Sequence, residues 1–523
     1  MEPTERPAID AASWRRATAT QAALVVDAAD YFSAARLGML QARCRIMLIG
    51  WDFDARIQLA DSGTRLPGEP RTLGAFVLWL VDRNPELEVF LLRWNIGALR
   101  TLFRGATLFT LMRWMIHPRI HTRLDAASTP GAAHHHKIVV IDDRLAFCGG
   151  IDMTSNRWDT PAHLDDDPRR IMPNGAPYDP WHDSTMALQG PAAAALGELA
   201  RERWREAGGQ ALAPVSPLAS GSSEAAPWPE GLTPHFRGVS VAISRSRPAT
   251  KGGPAILEVE ETFLAEIAAA RRYIFAESQY FASRRIAEAM ADRLAEANGP
   301  EIVLITPERA HGWLEPIAMD TARARLVAVM RHADAHRRFR LYHPVTTAGR
   351  PIYVHAKVLI VDDRVLHVGS SNMNNRSLRL DTECDVTVDA ASAENEASAE
   401  AIGAAIAGLR DRLLGEHLGL APASVRERVE VEGSLIAAIE ALRGEGRSLR
   451  PYQVPTLNDV ETWLADNELL DPEGPEEIFK PLSQRGLLRC LHRRFRRPRR
   501  AFPRLQQIGP PKSKCLGPET PAS

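Results

Sequence analysis

The chain has 523 residues, 45% of them hydrophobic and 25% charged, with a formal net charge of −1 at pH 7. This composition is typical of a folded globular protein, and the balanced charge gives no sign of a nucleic-acid partner at the level of the whole chain. The five cysteines are odd in number and show no paired spacing, which argues against a disulfide framework and for a reducing compartment.

The N-terminal tail, predicted at residues 1–20, is charged and lacks the apolar core of a signal peptide. Nowhere does the sequence hold the run of about eighteen apolar residues that a membrane-spanning helix needs. The sequence therefore predicts a cytoplasmic protein, with peripheral contact at the inner membrane surface as a further option.

A first α/β unit is predicted over residues 21–213. A helical pattern over residues 27–45 leads into an apolar strand at 46–49, and a second helix is predicted at 191–207. This order of elements is typical of a sheet with helices packed on it.

The first unit contains the motif His-x-Lys-x-x-x-x-Asp, formed by His135, Lys137 and Asp142. Two short apolar runs flank an Asp-Asp-Arg turn, and this pattern predicts a β-hairpin. Alternate residues of a strand share a face, so the histidine and the lysine are predicted to point into the same pocket. Asp142 lies at the turn, where we expect it to hold the hairpin as the structural member of the motif.

Residues 214–234 are rich in Pro, Ser, Gly and Ala and are predicted to be a linker. A second α/β unit is predicted over residues 235–420. Its predicted elements are helices at residues 256–271 and 284–297, strands at 273–276 and 301–306, and a closing helix at 389–414.

The second unit repeats the motif with His355, Lys357 and Asp362. Seventeen residues separate His355 from Asn372, and the same spacing separates His135 from Asp152 in the first copy. An asparagine amide can donate a hydrogen bond to a phosphoryl oxygen, whereas an ionised carboxylate cannot. We therefore expect Asp152 to pair with a nearby cation such as Arg157.

The C-terminal part is predicted to be a helical extension over residues 421–484, with one amphipathic helix at 424–442, and an Arg-rich tail over 485–523. Nine arginines and no acidic residue lie between Arg485 and Arg504. This pattern favours contact with an anionic membrane surface. A solvated terminal tail is an equal alternative, and binding to a phosphate backbone is a third.

Two matched His/Lys pairs suit the cleavage of a phosphodiester without a metal. A neutral imidazole can attack phosphorus and form a phosphohistidine, which splits one difficult step into two. A second, protonated imidazole can donate a proton to the leaving oxygen, and two lysines can offset charge on the phosphoryl oxygens. The tract 134–136 is three histidines, but adjacent strand residues point to opposite faces, so neither a metal nor another cofactor is expected.

The paired motif and its flanking residues closely resemble the phospholipase D superfamily, in its bacterial phospholipase D and cardiolipin synthase-like branch. The flanking blocks that carry the resemblance, across roughly residues 20–420, are Gly50–Asp54, Gly149–Asp152, Arg157–Asp159, Pro180–Asp183, Glu277–Phe281, Asn375–Ser377 and Asp381–Glu383. The resemblance implies a monomer with two tandem α/β halves, each a mixed β-sheet flanked by helices. It implies an active site at the pseudo-twofold interface between the halves.

The resemblance also implies roles for residues. His135 is the expected nucleophile and His355 the expected general acid, although the near-symmetry leaves the opposite assignment open. Asp183 and Glu383 match the acids that orient the histidines through the other ring nitrogen. The expected substrate contacts are Asp152, Arg157, Trp181, Gln279 and Ser370. The Trp181 ring is expected to be a core residue first and a headgroup contact second.

The sequence thus favours a phospholipase D that hydrolyses the distal phosphodiester of a glycerophospholipid, such as phosphatidylcholine or phosphatidylethanolamine. The products are phosphatidate and a headgroup alcohol, and the phosphohistidine also allows transfer to another alcohol. The alternatives are a cardiolipin synthase-like phosphatidyltransferase, then a nuclease, and a non-catalytic membrane scaffold. Nucleic acid is not the expected partner.

Overall fold

The computed structural model describes residues 12–60, 63–94, 112–125, 132–216, 228–250, 253–310 and 319–454. Most of the predicted N-terminal tail and most of the predicted linker lie outside these residues. So do residues 455–484 of the predicted extension and the whole Arg-rich tail, and the predictions made for them stay predictions.

The first half alternates strands and helices. Its elements are β1 (Arg15–Val26), α1 (Ala28–Leu40), β2 (Arg45–Gly50), α2 (Leu73–Arg83), β3 (Glu88–Trp94), β4 (Ile120–Asp125), β5 (Ile138–Ile141), β6 (Leu145–Gly149), β7 (Trp181–His182), β8 (Ser184–Gln189) and α3 (Pro191–Glu206). Proline at the first position of α3 suits a helix start, because the missing N–H would have no helical partner there.

The second half repeats this plan. Its elements are β9 (Phe236–Arg247), β10 (Ile256–Leu257), α4 (Glu258–Ala269), β11 (Tyr273–Ser278), α5 (Arg284–Ala295), β12 (Glu301–Ile305), α6 (Thr321–Ala333), β13 (Phe339–Val345), β14 (Tyr353–Val354), β15 (Lys357–Val361), β16 (Val365–Gly369), β17 (Glu383–Asp389) and α7 (Ala399–Leu418). Three elements follow, namely α8 (Pro422–Glu432), α9 (Leu435–Leu442) and β18 (Ser448–Pro451).

One large mixed sheet joins the halves in a symmetric order. From one edge the strands run β4-β3-β2-β5-β6-β8-β1 and then β9-β17-β16-β15-β11-β12-β13, with β18 added at the far edge. Strands β2, β3 and β4 of the first half are parallel to one another, as are β11, β12 and β13 of the second half. The remaining pairs of this sheet, that of β13 with β18 included, are antiparallel. The antiparallel pairing of β1 with β9 forms the seam. The predicted α/β class with mixed sheets and flanking helices is confirmed.

The inner faces of the two halves share one hydrophobic core. Ile138 and Val140 of β5 and Val358 and Ile360 of β15 belong to this core. The alternate residues of β5 and β15 face separate outer clusters under the helices of each half. This alternation follows from the two-residue period of a strand. It buries each motif strand on both faces, which explains why both strands are continuously apolar.

The hairpin turns that close the two motifs have the same geometry. Asp142 and Asp143 have φ of 52° and 54°, and Asp362 and Asp363 have φ of 56° and 55°. Two consecutive left-handed residues match the twist of a two-residue hairpin, and aspartate tolerates this region better than most residues. The predicted hairpins are therefore present in both halves.

Two predictions about helices were wrong. The closing helix was predicted at residues 389–414, but β17 continues to Asp389 and α7 begins only at Ala399. The single helix predicted at 424–442 is two helices, because Gly433 ends α8 in a left-handed conformation with φ of 63°. Strand β18 then pairs with β13, so the C-terminal extension completes the sheet of the second half. Among the helices of the described residues, none combines the length and apolar character that crossing a membrane requires.

Candidate active site

His135 lies just before β5, on a segment that contacts the second half. Its backbone N–H donates to the carbonyl oxygen of Thr382 over 3.1 Å. Its Nδ1 lies 2.9 Å and 3.0 Å from the two carboxylate oxygens of Glu383, which is fully buried. A carboxylate of the second half therefore orients the imidazole of the first.

His355 follows β14, which pairs in parallel with β7 of the first half. Its backbone N–H donates to the carbonyl oxygen of His182 over 2.7 Å, and its Nδ1 lies 2.6 Å from Oδ2 of Asp183. The two His–carboxylate pairs are thus crossed between the halves. A proton held on Nδ1 by a carboxylate leaves Nε2 of each ring for chemistry.

Lys137 is buried beside the first histidine. Its Nζ donates to the carbonyl oxygen of His135 over 3.1 Å and lies 3.4 Å from Oδ2 of Asp152. Asp152 also accepts a hydrogen bond from the backbone N–H of Trp51 over 3.0 Å. The expectation that Asp152 pairs with Arg157 is corrected: its cation is Lys137, because the glycine-containing turn after β6 returns the carboxylate to the motif strand.

Arg157 lies elsewhere in the site. Its guanidinium carbon is 4.2 Å from the ring centroid of Trp181, and Trp181 stacks on Tyr353 with centroids 4.6 Å apart. The Trp181 ring is also 5.2 Å from that of His355. Trp181 is buried and packed on several sides, so it supports the histidine and leaves little of its ring for a headgroup.

Lys357 has different neighbours from Lys137. Its Nζ donates to the carbonyl oxygen of His355 and lies 3.4 Å from Oε1 of Gln279. The side-chain amide of Asn372 donates to the same oxygen over 3.4 Å. Gln279 is fixed in turn by donation to the hydroxyl of Tyr353 over 3.0 Å. The second lysine therefore contacts the neutral amide of Gln279, whereas the first lysine contacts the carboxylate of Asp152.

Burial controls the protonation of the histidines. Together with the charges of Lys137 and Lys357, burial lowers the pKa of His135 to about 3. Burial and the charge of Lys357 hold the pKa of His355 well below its usual value. Both rings are therefore neutral at pH 7, the form in which an imidazole is a nucleophile. A bound anion raises the pKa of each ring, so one ring can then carry a proton.

Burial also shifts the groups around the histidines. It lowers the pKa of Lys357 to about 7 and raises the pKa of Glu383 to about 8. It raises the pKa of Asp183 above its usual value as well. In each case a low dielectric disfavours the charged form. The site is therefore suited to an anionic ligand, whose charge compensates the buried cations.

Small residues allow the close approach on which the site depends. A Cβ on Gly150 would lie 2.2 Å from Oδ1 of Asp183, so only glycine leaves room for this carboxylate. The hydroxyl of Ser370 donates to Oε2 of Glu383 over 2.5 Å. Ser370 was predicted to contact substrate, but its hydrogen bond instead holds the carboxylate that orients His135.

The two motif aspartates lie at the hairpin turns. Asp142 accepts hydrogen bonds of 2.7–2.9 Å from three successive backbone N–H groups, those of residues 43–45. Asp362 does the same for residues 271–273, over 2.6–2.9 Å. Each aspartate ties its hairpin to the neighbouring strand, as expected of structural members, and neither contacts the histidines.

The three adjacent histidines have separate partners. His134 lies 2.9 Å from Asp125, and Nε2 of His136 lies 3.1 Å from the carbonyl oxygen of Glu383. Within the part of the chain that the structure describes, donor atoms that could together hold a metal occur instead in two overlapping buried groups. The first is Asp27, His163, His182 and Glu416, and the second is His182, Glu277 and His417.

These two groups were not found from the sequence. Glu416 and His417 occupy the last turn of α7, and Glu277 ends β11. Their only signal is the presence of ionisable residues inside apolar elements. Tyr353, which contacts both Trp181 and Gln279, was also missed, because nothing in its local sequence distinguishes it from a core aromatic residue.

Two family models match successive parts of the chain. The model described as "Phospholipase D" matches residues 38–289. The model described as "Cardiolipin synthase, PLD-like domain" matches residues 263–402. Together they span both motif histidines and the two acids that contact their rings, Glu383 and Asp183.

Relatives with these names are similar along much of the chain. "Phospholipase D alpha 1" of Nicotiana tabacum is 24% identical, over 73% of this chain and 63% of that protein. "Cardiolipin synthase A" of Pseudomonas entomophila is 29% identical, over 50% of this chain and 45% of that protein. The chain thus spans less than two thirds of the length of these relatives.

A phosphatidylserine synthase of Haemophilus influenzae is similar among solved structures, with a TM-score of 0.49 and 13% identity over 75% of this chain and 87% of that one. This similarity is too low to support an inference. The family models, the named relatives and the duplicated site agree on one family. The chain belongs to the phospholipase D superfamily.

Proposed function

We propose that the protein is a phospholipase D that cleaves the distal phosphodiester of glycerophospholipids through a phosphohistidine. The observation that carries this proposal is the pair of crossed His–carboxylate contacts flanked by two buried lysines. Two neutral imidazoles in a site with buried cations suit a singly charged diester. The names of the relatives support a phospholipid substrate.

In the first step Nε2 of His135 attacks phosphorus. A P–N bond forms as the P–O bond to the headgroup breaks. The departing oxygen takes a proton from Nε2 of His355, which is protonated once the anionic diester is bound. Glu383 stabilises the positive charge that His135 gains on attack, and Asp183 stabilises the positive charge of protonated His355. This assignment follows the family resemblance and fits the greater exposure of the His135 side chain, 17% against 7% for His355.

In the second step an incoming water or alcohol gives its proton to Nε2 of His355 and attacks phosphorus. The new P–O bond forms as the P–N bond breaks, and the electron pair returns to His135. Water gives phosphatidate, and a primary alcohol gives a phosphatidyl ester. Lys137, Lys357 and the amide of Asn372 are placed to stabilise the phosphoryl oxygens in both steps.

Substrate access requires contact with a lipid surface. Met112, Met115 and Ile116 are exposed by 56%, 72% and 82%, although such side chains are usually buried. Arg113 is exposed among them, and a cation beside apolar side chains suits an anionic bilayer surface. We propose a cytoplasmic monomer that binds such a surface peripherally, with the residues between Arg485 and Arg504 as a second contact. Flotation with anionic and neutral vesicles tests this proposal.

The main alternative differs only in the acceptor. A cardiolipin synthase-like phosphatidyltransferase would use the hydroxyl of phosphatidylglycerol in the second step, and "Cardiolipin synthase A" among the relatives favours it as second candidate. The site geometry is the same for both reactions. The products, rather than the structure, distinguish them.

The test is turnover of vesicles that contain phosphatidylcholine, phosphatidylethanolamine and phosphatidylglycerol, with chelator and a little ethanol, followed by mass spectrometry. His135→Ala is the control. Phosphatidate and phosphatidylethanol that are lost in the variant support the phospholipase. Cardiolipin identifies the transferase instead. Without any lipid product the proposal is wrong, and single-stranded DNA is the next substrate to test.

A further inference from the structure

A network of buried ionisable side chains lies behind the Asp183–His355 pair. It joins the first half, the second half and the end of α7. We call it the α7 network, and its members are Asp27, Asp159, His163, His182, Glu277, Glu416 and His417. Each is more than nine-tenths buried, so the network belongs to the interior and not to the surface.

His182 is the centre of the α7 network. Its Nδ1 lies 2.7 Å from Oε1 of Glu416, and its Nε2 lies 2.8 Å from Oε2 of Glu277. The other oxygen of Glu277 lies 2.8 Å from Nε2 of His417. Both ring nitrogens of His182 therefore face carboxylates. A ring can donate from both nitrogens only when it carries two protons.

The shifts of the pKa values agree with this geometry. Glu277 and Glu416 hold the pKa of His182 well above its usual value despite burial. In return, the pKa of Glu277 is lowered to about 2 and that of Glu416 lies well below its usual value. Around this centre, His163 lies 3.0 Å from Asp159 and 3.1 Å from Glu416. The centre is thus a histidine ring held at both nitrogens by carboxylates.

The network also includes Asp27, which reaches the backbone of the site. The N–H of Asp27 donates to the carbonyl oxygen of Asp183 over 2.8 Å, and the N–H of Asp183 donates to Oδ1 of Asp27 over 3.2 Å. The carbonyl oxygen of His182 accepts the N–H of His355 over 2.7 Å. The peptide of residues 182 and 183 therefore binds the backbone N–H of His355 and also carries the carboxylate that contacts Nδ1 of His355.

We propose that His182 is a positioning residue for the reaction. Held at both ring nitrogens by Glu277 and Glu416, its side chain fixes the peptide that carries Asp183 and receives the N–H of His355, and so aligns the Asp183 carboxylate with Nδ1 of His355. The α7 network thereby links the end of α7 to the general acid. This inference rests on the proposed function, because His355 is the general acid only in that reaction. The effect of His182 on the tautomer of His355 can nevertheless be measured without turnover.

The experiment combines nitrogen NMR with kinetics on the full-length protein. Rings of histidine are labelled with nitrogen-15, the His355 signals are assigned with His355→Gln, and His182→Gln is compared with the unchanged protein at pH 7. In the unchanged protein we expect the His355 proton on Nδ1 alone. In His182→Gln we expect a mixture of both tautomers and a kcat lower by about 10–100-fold with little change in KM, because small misalignment of reacting groups has effects of this size.

Arg36→Met is the matched control for loss of a buried charge. Arg36 of α1 pairs with Glu69 and donates to the carbonyl oxygen of Thr64, so its loss destabilises the fold without reaching the histidines. If His182→Gln keeps the His355 tautomer and kcat and loses only stability, as Arg36→Met does, the proposal is wrong. Glu416→Gln replaces His182→Gln if the latter does not fold.

Two further outcomes, a bound metal ion and an absence of lipid products, can be distinguished from each other. Elemental analysis that finds one metal ion per chain, lost in His182→Gln, also overturns the proposal, because a metal would then hold the ring in place of its hydrogen bonds to Glu277 and Glu416. A wild-type protein without lipid products rejects the proposed function. A changed His355 tautomer in His182→Gln would support the positioning role even then.

Discussion

The two halves of the site share one backbone plan and differ in the side chains around it. In the first half Lys137 contacts the carboxylate of Asp152. His135 is oriented by Glu383, which accepts a hydrogen bond from Ser370. In the second half Lys357 contacts His355 and the side-chain amide of Gln279. His355 is held by Asp183, which borders the α7 network. Duplication therefore supplies two equivalent imidazoles, and their neighbours make them chemically different.

The test with the largest expected effect on the rate distinguishes the roles of the two histidines. We expect His135→Ala and His355→Ala each to lower kcat on phospholipid by at least about 10²–10⁴-fold. With a p-nitrophenyl diester, whose leaving group needs no proton, His355→Ala should still form the phosphohistidine and His135→Ala should not. Mass spectrometry of the acid-quenched, digested protein measures the adduct. An adduct in His135→Ala alone would reverse the assignment.

A second test concerns a difference in the cores of the halves. His367 of β16 lies between Glu266 and Asp385, at 3.0 Å and 2.9 Å, where the first half has Phe147. These acids raise the pKa of His367 to about 10. We expect His367→Phe to lower the free energy of unfolding by about 3–5 kcal/mol, because it leaves buried acids without their cation.

The pH dependence of this effect has a definite sign. Since the pKa of His367 is raised above its unfolded value of about 6.5, its stabilisation is complete below that pH and is lost as the pH rises through about 10. Urea titrations at several pH values should show the gap between the two proteins narrowing as the pH rises. A gap independent of pH would contradict a charged His367.

A third test uses the two lysines. Because the pKa of Lys357 is lowered to about 7, the fraction of free protein with a charged Lys357 falls as the pH rises through 7. We expect kcat/KM to fall over that range, and Lys357→Arg to remove the fall because arginine stays charged. Lys137→Arg is the comparison and should keep the wild-type pH profile. An unchanged profile in Lys357→Arg would show that another group titrates.

The smallest expected effect is at Ser370, whose counterpart in the first half is Gly150. Ser370→Ala removes a hydrogen bond to Glu383, and such a bond is worth about 0.5–1.5 kcal/mol. We expect kcat to fall by at most roughly 10-fold, since not all of this energy acts in the transition state. Steady-state rates on vesicles measure it, with Ser371→Ala as control. A fall as large as that of His135→Ala would mean that Ser370 touches substrate.

The sequence predicted the features that local patterns encode. The motif strands, the hairpin turns and the joint direction of His135 and Lys137 follow from apolar runs and a two-residue period. The crossed acids came from resemblance, since Asp183 and His355 are 172 positions apart. Periodicity carries no information about such a distance. The partner of Asp152 was mispredicted for the same reason: the choice between Lys137 and Arg157 depends on how a turn folds back.

The α7 network shows a different limit of prediction. Its acids and histidines are dispersed from Asp27 to His417, over strands, loops and the last turn of α7. Only the folded structure shows that these side chains lie together and form hydrogen bonds with one another. The break at Gly433 was missed because the helical pattern continues on both sides of it, and one glycine within such a pattern is ambiguous.

The seam between β1 and β9 has a consequence for each half taken alone. A separated half would present β1 or β9 as an open sheet edge, with a row of unpaired N–H and C=O groups. Such edges pair readily with other chains. In the intact chain the two edge strands pair with each other, so their backbone groups are hydrogen-bonded inside the sheet. Fragments cut between the halves should therefore self-associate or aggregate when expressed singly, and recover solubility when expressed together.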